Sequence, residues 1–235
     1  MIKIENVEVY GWEAAIRGMR NPKNSWSKSD SNWEFVEDTS LINPNDEVKW
    51  IIGKNDLELM QTLYKAGSDH RKFMRFINVT FDTIAPLYFY KEMDTYKVGT
   101  VCNSCSTMHK IQSKEFTLDD FSHEHLNAVS ETELHNTIVL LNEYRCLYNT
   151  WDSVDDETKR RYGVFERKDA WWQMIQLLPS SYNQRRTVQM TYEVMANFCR
   201  PGRREDHKLD EWRELCAFCH ELPYFDAITK GDNNV

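Results

Sequence analysis

The 235-residue sequence has no apolar run that approaches the roughly 20 residues a membrane-spanning helix requires, so no role inside a bilayer is expected. It also lacks a basic excess. The 29 Lys and Arg stand against 37 Asp and Glu, for a net charge of −8. Duplex nucleic acid demands a broad positive surface and is excluded as a partner class, although a small basic pocket for one phosphate is not. The opening MIKIENVEVYGWE alternates and carries acids, so it does not read as a secretory leader. Six cysteines without such a leader read as reduced thiols, and the expected location is the cytoplasm. No internal repeat and no linker-like stretch interrupts the chain. A single domain is therefore expected over residues 1–235, with residues from about 229 onward a frayed tail.

What the chain does have is aromatic weight, with eight Trp and eleven Tyr, and enough length for a substantial core. IKIENVEVY alternates as a strand does. WEAAIRGMR predicts a short helix, and NPKNSWSKSDSN a surface loop. NDLELMQTLYKAG predicts a helix with an Asn/Asp cap, apolar Leu57, Met60 and Leu63, and Gly67 as its stop. INVTFDTIAPLYFY is β-branched and aromatic, a central strand over residues 77–84, with Pro86 placed to begin a helix. FTLDDF opens on a Thr cap. SETELHNTIVLLNEYRCLYN carries Leu134, Ile138, Leu141 and Tyr148 on one stripe of a long helix. DDETKRRYG, RKDAWWQMIQLLP, RRTVQMTYEVMANFCR and HKLDEWRELCAFCHEL read as further helices. Strands early and helices later predict an α+β protein.

The chemistry-bearing patterns are few. Cys102-x-x-Cys105 admits three readings: a metal or redox site, a nucleotide-binding loop, or a surface turn. Paired with Cys216-x-x-Cys219 it could make a zinc site, but the pairs are far apart and lack Gly-rich knuckle turns. Cys216 and Cys219 fall on an apolar helix face with Leu209, Trp212 and Leu215, where cysteine behaves as a small hydrophobe. CAFCH also matches a haem attachment pattern, which needs export and an exposed loop. His123 and His125 point apart on a helix and share no ion. No metal is expected. Arg200, Arg203, Arg204, His207 and Lys208 precede a helix whose N-terminus could attract an anion, against the plainer reading of a solvated loop.

Residues 85–109, APLYFYKEMDTYKVGTVCNSCSTMH, together with KLDEWR at 208–213, resemble the flavin-dependent thymidylate synthase family. That family has a strand ending in Ala-Pro, then Arg-His-Arg, then a loop Asn-Glu-x-Ser-x-Arg-Tyr. Here Ala85 and Pro86 take the Ala-Pro place, and Thr95, Tyr96 and Lys97 take the Arg-His-Arg place. Val98 and Gly99 follow as in many members, Asn103 and Ser106 are kept, and Met108 and His109 replace Arg-Tyr. Downstream, Leu178-Pro179 and then Glu211 and Arg213 match the C-terminal half, while AAIRGMRNPKNSWS echoes an Ala-x-Arg segment.

The resemblance implies a mostly antiparallel central sheet flanked by long helices, in a homotetramer whose sites adjoin subunits. It implies dUMP or another pyrimidine nucleotide as ligand, with Arg213, Ser106, Asn103 and Lys97 binding it and Ser106 the candidate for catalysis. Thr95, Tyr96 and Lys97 would face FAD, with NADPH and methylenetetrahydrofolate as the other reactants. The departures are also informative. Two guanidiniums are reduced to one ammonium, and the loop carboxylate is Ser104. Arg185, Arg186, Arg203 or Arg204 could stand in for the lost cations. The alternatives are a module of the same fold that binds nucleotide without flavin, and a structural relative without a ligand.

Overall fold

The computed structural model describes residues 2–35 and 48–230. In chain order the elements are β1 (Lys3–Tyr10), α1 (Trp12–Arg20), β2 (Asn32–Phe35), β3 (Val48–Ile51), α2 (Lys54–Lys65), β4 (Asn78–Pro86), α3 (Leu87–Met93) and β5 (Thr100–Ser104). They continue with α4 (Thr107–Lys110), α5 (Ala128–Asn149), α6 (Asp156–Arg161), α7 (Arg167–Leu177), β6 (Asn183–Thr191), α8 (Tyr192–Phe198), α9 (Asp210–Glu221) and α10 (Phe225–Thr229). A four-stranded sheet runs in the order β1-β4-β6-β5, and β2 and β3 form a separate antiparallel ribbon. The α+β fold expected from the sequence is the one observed.

The chain divides into two compact units. The first comprises the start of the chain with Asp82–Thr95 and Cys102–Thr187; the second comprises the described parts of Asn6–Phe81, Tyr96–Val101 and Val188–Val235.

In the first unit β4 turns directly into α3. Pro86 is the N-cap, in extended conformation, because its ring fixes φ and its missing N–H costs nothing at a helix start. Tyr90 of α3 is fully buried, and its hydroxyl donates to the carbonyls of Thr83 and Gln184. The 22-residue α5 places Leu134, Ile138 and Leu141 against Phe116, Phe121 and Met174. Each such side chain contributes about 1.5–3 kcal/mol when withdrawn from water. Thr117 caps the turn at Leu118–Asp120, as FTLDDF predicts.

In the second unit the core is aromatic. Trp12 stands edge-on to Tyr192, and Tyr192 to Phe225. Trp212 is fully buried against Phe198. Gly99 has φ +77°, and a Cβ there would approach Val194 Cγ2 at 2.9 Å, so only glycine fits comfortably.

Several sequence expectations need correcting. RRTVQMTYEVMANFCR is not one helix: its first half is the strand β6, and only residues 192–198 are helical. Gln184, Val188 and Met190 are buried at even spacing, so tertiary pairing selects the period of two over the helical one. The α2 cap comes from elsewhere. Gly53 occupies the cap position, and Asp30 accepts from the amides of Asn55 and Asp56, which leaves Asp56 free to turn inward. Cys102, Asn103 and Ser104 belong to β5 rather than to a loop. Part of the expected tail, residues 231–235, lies outside the described residues.

Candidate functional site

The resemblance places its site residues in both units, and each unit has its own local chemistry. In the first unit, Ser106 is the N-cap of α4, and its Oγ accepts the His109 amide at 3.1 Å. A serine hydroxyl keeps one O–H to donate after such a cap is made. Ser106 also borders a cavity of about 260 Å³ shared with Cys105, Lys110, Lys114, Tyr182 and Arg185. Its floor is stiff: Gln184 donates to the Cys105 carbonyl, and the Cys105 amide donates to the Arg185 carbonyl. Asn103 lies on β5, the last strand in the sheet order, and is exposed. Thr95 donates its hydroxyl to the Glu92 carbonyl at 2.7 Å and so closes the end of α3.

Two of the arginines named as substitutes for lost cations are engaged locally. Arg185 pairs with Asp82 at 2.7 Å and with Glu5 at 3.5 Å, and the hydrogen bond and charge of Asp82 raise its pKa. Arg186 lies 3.8 Å over the Tyr90 ring and donates to Gln184 and Asp94. Burial pushes the Tyr90 phenol up to about 12, so it remains a proton donor at every physiological pH.

In the second unit, Tyr96 is built into the aromatic core. It meets Phe198 and Trp212 edge-on at 5.4 and 5.6 Å, and its hydroxyl accepts from Arg204 Nε at 3.1 Å. Arg204 also lies 4.3 Å over the Trp212 ring, so part of the basic run packs on aromatics instead of lying free as a solvated loop. Lys97 is exposed. Arg213 is exposed too, donating to the His207 carbonyl and pairing with Asp210, the partner its i−3 spacing favours.

Sequence reasoning missed a larger cavity of about 1190 Å³ in the second unit, bordered by Lys23, Lys28, Lys72 and His70 with Phe73 and Phe76. Its only sequence signal is the AAIRGMRNPKNSWS segment, whose residues supply one wall. Sequence reasoning also missed the cluster of Cys199, Glu205 and His220, whose members come from separate elements.

No protein-family model matches the chain, and no curated protein matches it. Its fold is similar to that of thymidylate synthase X from Helicobacter pylori, solved with FAD and dUMP, at a TM-score of 0.61 and 13% identity over 97% of each chain. It is also similar to the UMP/dUMP methylase PolB from Streptomyces cacaoi, solved with 5-Br dUMP, at a TM-score of 0.57 and 14% identity over 100% of this chain and 97% of that one. The likeness is one of fold and extends over nearly the whole length.

Proposed function

We propose that this chain binds a pyrimidine nucleotide, with dUMP as the reference ligand, as a divergent relative of the flavin-dependent thymidylate synthases. The shared fold supports this reading: both neighbours were solved with a pyrimidine nucleotide or its analogue, and the likeness covers 97% or more of this chain. Arg213, Ser106, Asn103 and Lys97 are the proposed nucleotide-binding residues, and Ser106 is the candidate for a reacting hydroxyl. The proposed assembly is a homotetramer in the cytoplasm. Val98 and Val101, 90% and 65% exposed, would be covered by another subunit.

Flavin, when bound in this family, supplies the hydride that reduces a methylene group delivered to dUMP from methylenetetrahydrofolate, and NADPH restores it. The residues at the Arg-His-Arg place do not fit that cofactor unaided. Thr95 is tied to its own helix, Tyr96 is locked among Phe198, Trp212 and Arg204, and only Lys97 offers a cation. This observation favours the second reading, a nucleotide-binding module without flavin that serves sequestration or sensing.

Two measurements separate the readings. A visible spectrum of freshly purified protein with a flavin band supports the enzyme; a colourless protein that takes up dUMP in calorimetry supports the module. A colourless protein with no heat of dUMP binding sinks both.

A further inference from the structure

The end of α8, the loop after it, α9 and α10 bring four polar groups of the second unit to one point. Cys199 Sγ is 3.4 Å from His220 Nε2. Glu205 Oε1 is 2.8 Å from that same nitrogen and 3.9 Å from the sulfur. On the other side of the ring, His220 Nδ1 meets Asp226 Oδ1 at 2.5 Å, and the second Asp226 oxygen holds Lys230 at 3.0 Å. Cys199 is buried, and Glu205 and His220 are half-buried.

We propose that Cys199, Glu205 and His220 bind a divalent transition metal of the zinc class, with Asp226 orienting the imidazole from behind. A thiolate, an imidazole and a carboxylate are the ligands zinc takes. With tetrahedral bonds of about 2.3 Å to sulfur and 2.0–2.1 Å to nitrogen or oxygen, ligand atoms stand roughly 3.3–3.6 Å apart. The three observed separations bracket that range, so shifts of about half an ångström would seat the ion. The carboxylate behind the ring is the usual outer partner of a metal-bound histidine: it fixes the tautomer and leaves Nε2 to the metal. Spacing in the sequence could not reveal this set, because the ligands lie at 199, 205 and 220 on different elements.

Two other uses of the cluster fit less well. A Cys-His-Asp nucleophile would need Nε2 for the sulfur alone and a cavity for substrate. Here Glu205 shares Nε2, and neither cavity described above reaches Cys199. In a salt bridge without metal, His220 would carry two protons, one toward each carboxylate. Burial opposes that charge, and Asp226, Cys199 and Glu205 outweigh it and raise the pKa. The salt bridge accounts for the carboxylates; the sulfur, which also approaches the Cys216 carbonyl at 3.5 Å, stands 3.4 Å from Nε2, close enough to join them on one ion. Glu205 is next to Arg204, so the ion would pin the loop that clamps Tyr96. The site is independent of the nucleotide reading.

The test uses the full chain, purified without a metal-binding tag, stripped with chelator and titrated with Co²⁺. About one equivalent should bind, with an intense sulfur-to-cobalt charge-transfer band and tetrahedral visible bands. Cys199→Ser should abolish the charge-transfer band while circular dichroism stays unchanged. Asp226→Asn should weaken Co²⁺ binding by roughly 10–100-fold without removing the band. If Cys199→Ser fails to fold, Glu205→Gln takes its place, and loss of the visible bands or of affinity is the expected result. No charge-transfer band in the wild-type protein, or a band that persists in Cys199→Ser, overturns the proposal.

Discussion

Arg20 and Arg213 each hold an aspartate, and the two pairs differ in how much water reaches them. The side chains of Arg20 and Asp56 are 4% and 0% exposed, while those of Arg213 and Asp210 are 51% and 33% exposed. Arg20 Nε donates to Asp56 at 2.6 Å, and the second Asp56 oxygen accepts from the hydroxyls of Ser29 and Ser31 and from the amides of Asp30 and Ser31. Arg213 has one carboxylate of its own helix and one carbonyl. The resemblance to a nucleotide enzyme drew attention to Arg213, and nothing in the sequence singled out Arg20. Burial makes the first pair a requirement of folding, because an uncompensated charge there has no water to turn to. It leaves the second pair available to a ligand.

The largest expected effect is at Asp56. Asp56→Asn strands the Arg20 charge and should cost about 3–5 kcal/mol in urea denaturation. The double variant Arg20→Met/Asp56→Asn should recover part of that loss, since the asparagine oxygen still accepts from the serines. A single variant as stable as wild type would break the comparison.

The same carboxylate gives stability a pH dependence. Burial acts to raise the Asp56 pKa, but hydrogen bonds from Ser29, Ser31, Arg20 and Asp30 outweigh it and hold the value below the ordinary 3.8. The folded value is the lower one, so the contribution is fully present above the unfolded pKa. It is lost as pH falls through the folded pKa. Urea midpoints measured from pH 6 down to about pH 3 should therefore fall more steeply for wild type than for Asp56→Asn.

An intermediate case sharpens the series. The Arg186 side chain is 12% exposed, while its partner Asp94 is 51% exposed. Arg186→Met removes charged hydrogen bonds and the stacking on Tyr90, and should cost about 1–3 kcal/mol in thermal or urea melts. The smallest stability effect belongs to Arg213→Ala, under about 1 kcal/mol, as for other exposed pairs. On the nucleotide reading, the same variant should weaken dUMP binding roughly ten- to a hundredfold in calorimetry, the loss of one charge-assisted contact worth about 1.5–3 kcal/mol. Unchanged affinity would remove Arg213 from the site.

Much of the fold was legible because it is written in local pattern. β4 announces itself by β-branched alternation ending at Pro86, and α5 by its apolar stripe. β6 was misread because Met190, Tyr192, Val194 and Met195 also suit a helix, and only the neighbouring strands decide where extension gives way to coiling. The site was legible only as far as its motif remnants run. Ser106 does line a cavity, but the engagement of Thr95 and Tyr96 depends on partners at 92, 198, 204 and 212.

By itself the sequence determined the α+β class, the position of the strand ending in Ala85-Pro86 and most helices, since each rests on periodicity or caps. Tertiary structure alone decided which charges lost their water and which side chains met across long separations. Asp56 turned inward because Asp30 took over its helix cap, and Cys199 met Glu205 and His220 because three elements converge there. Burial and convergence depend on the whole chain, so no local stretch of sequence encodes them.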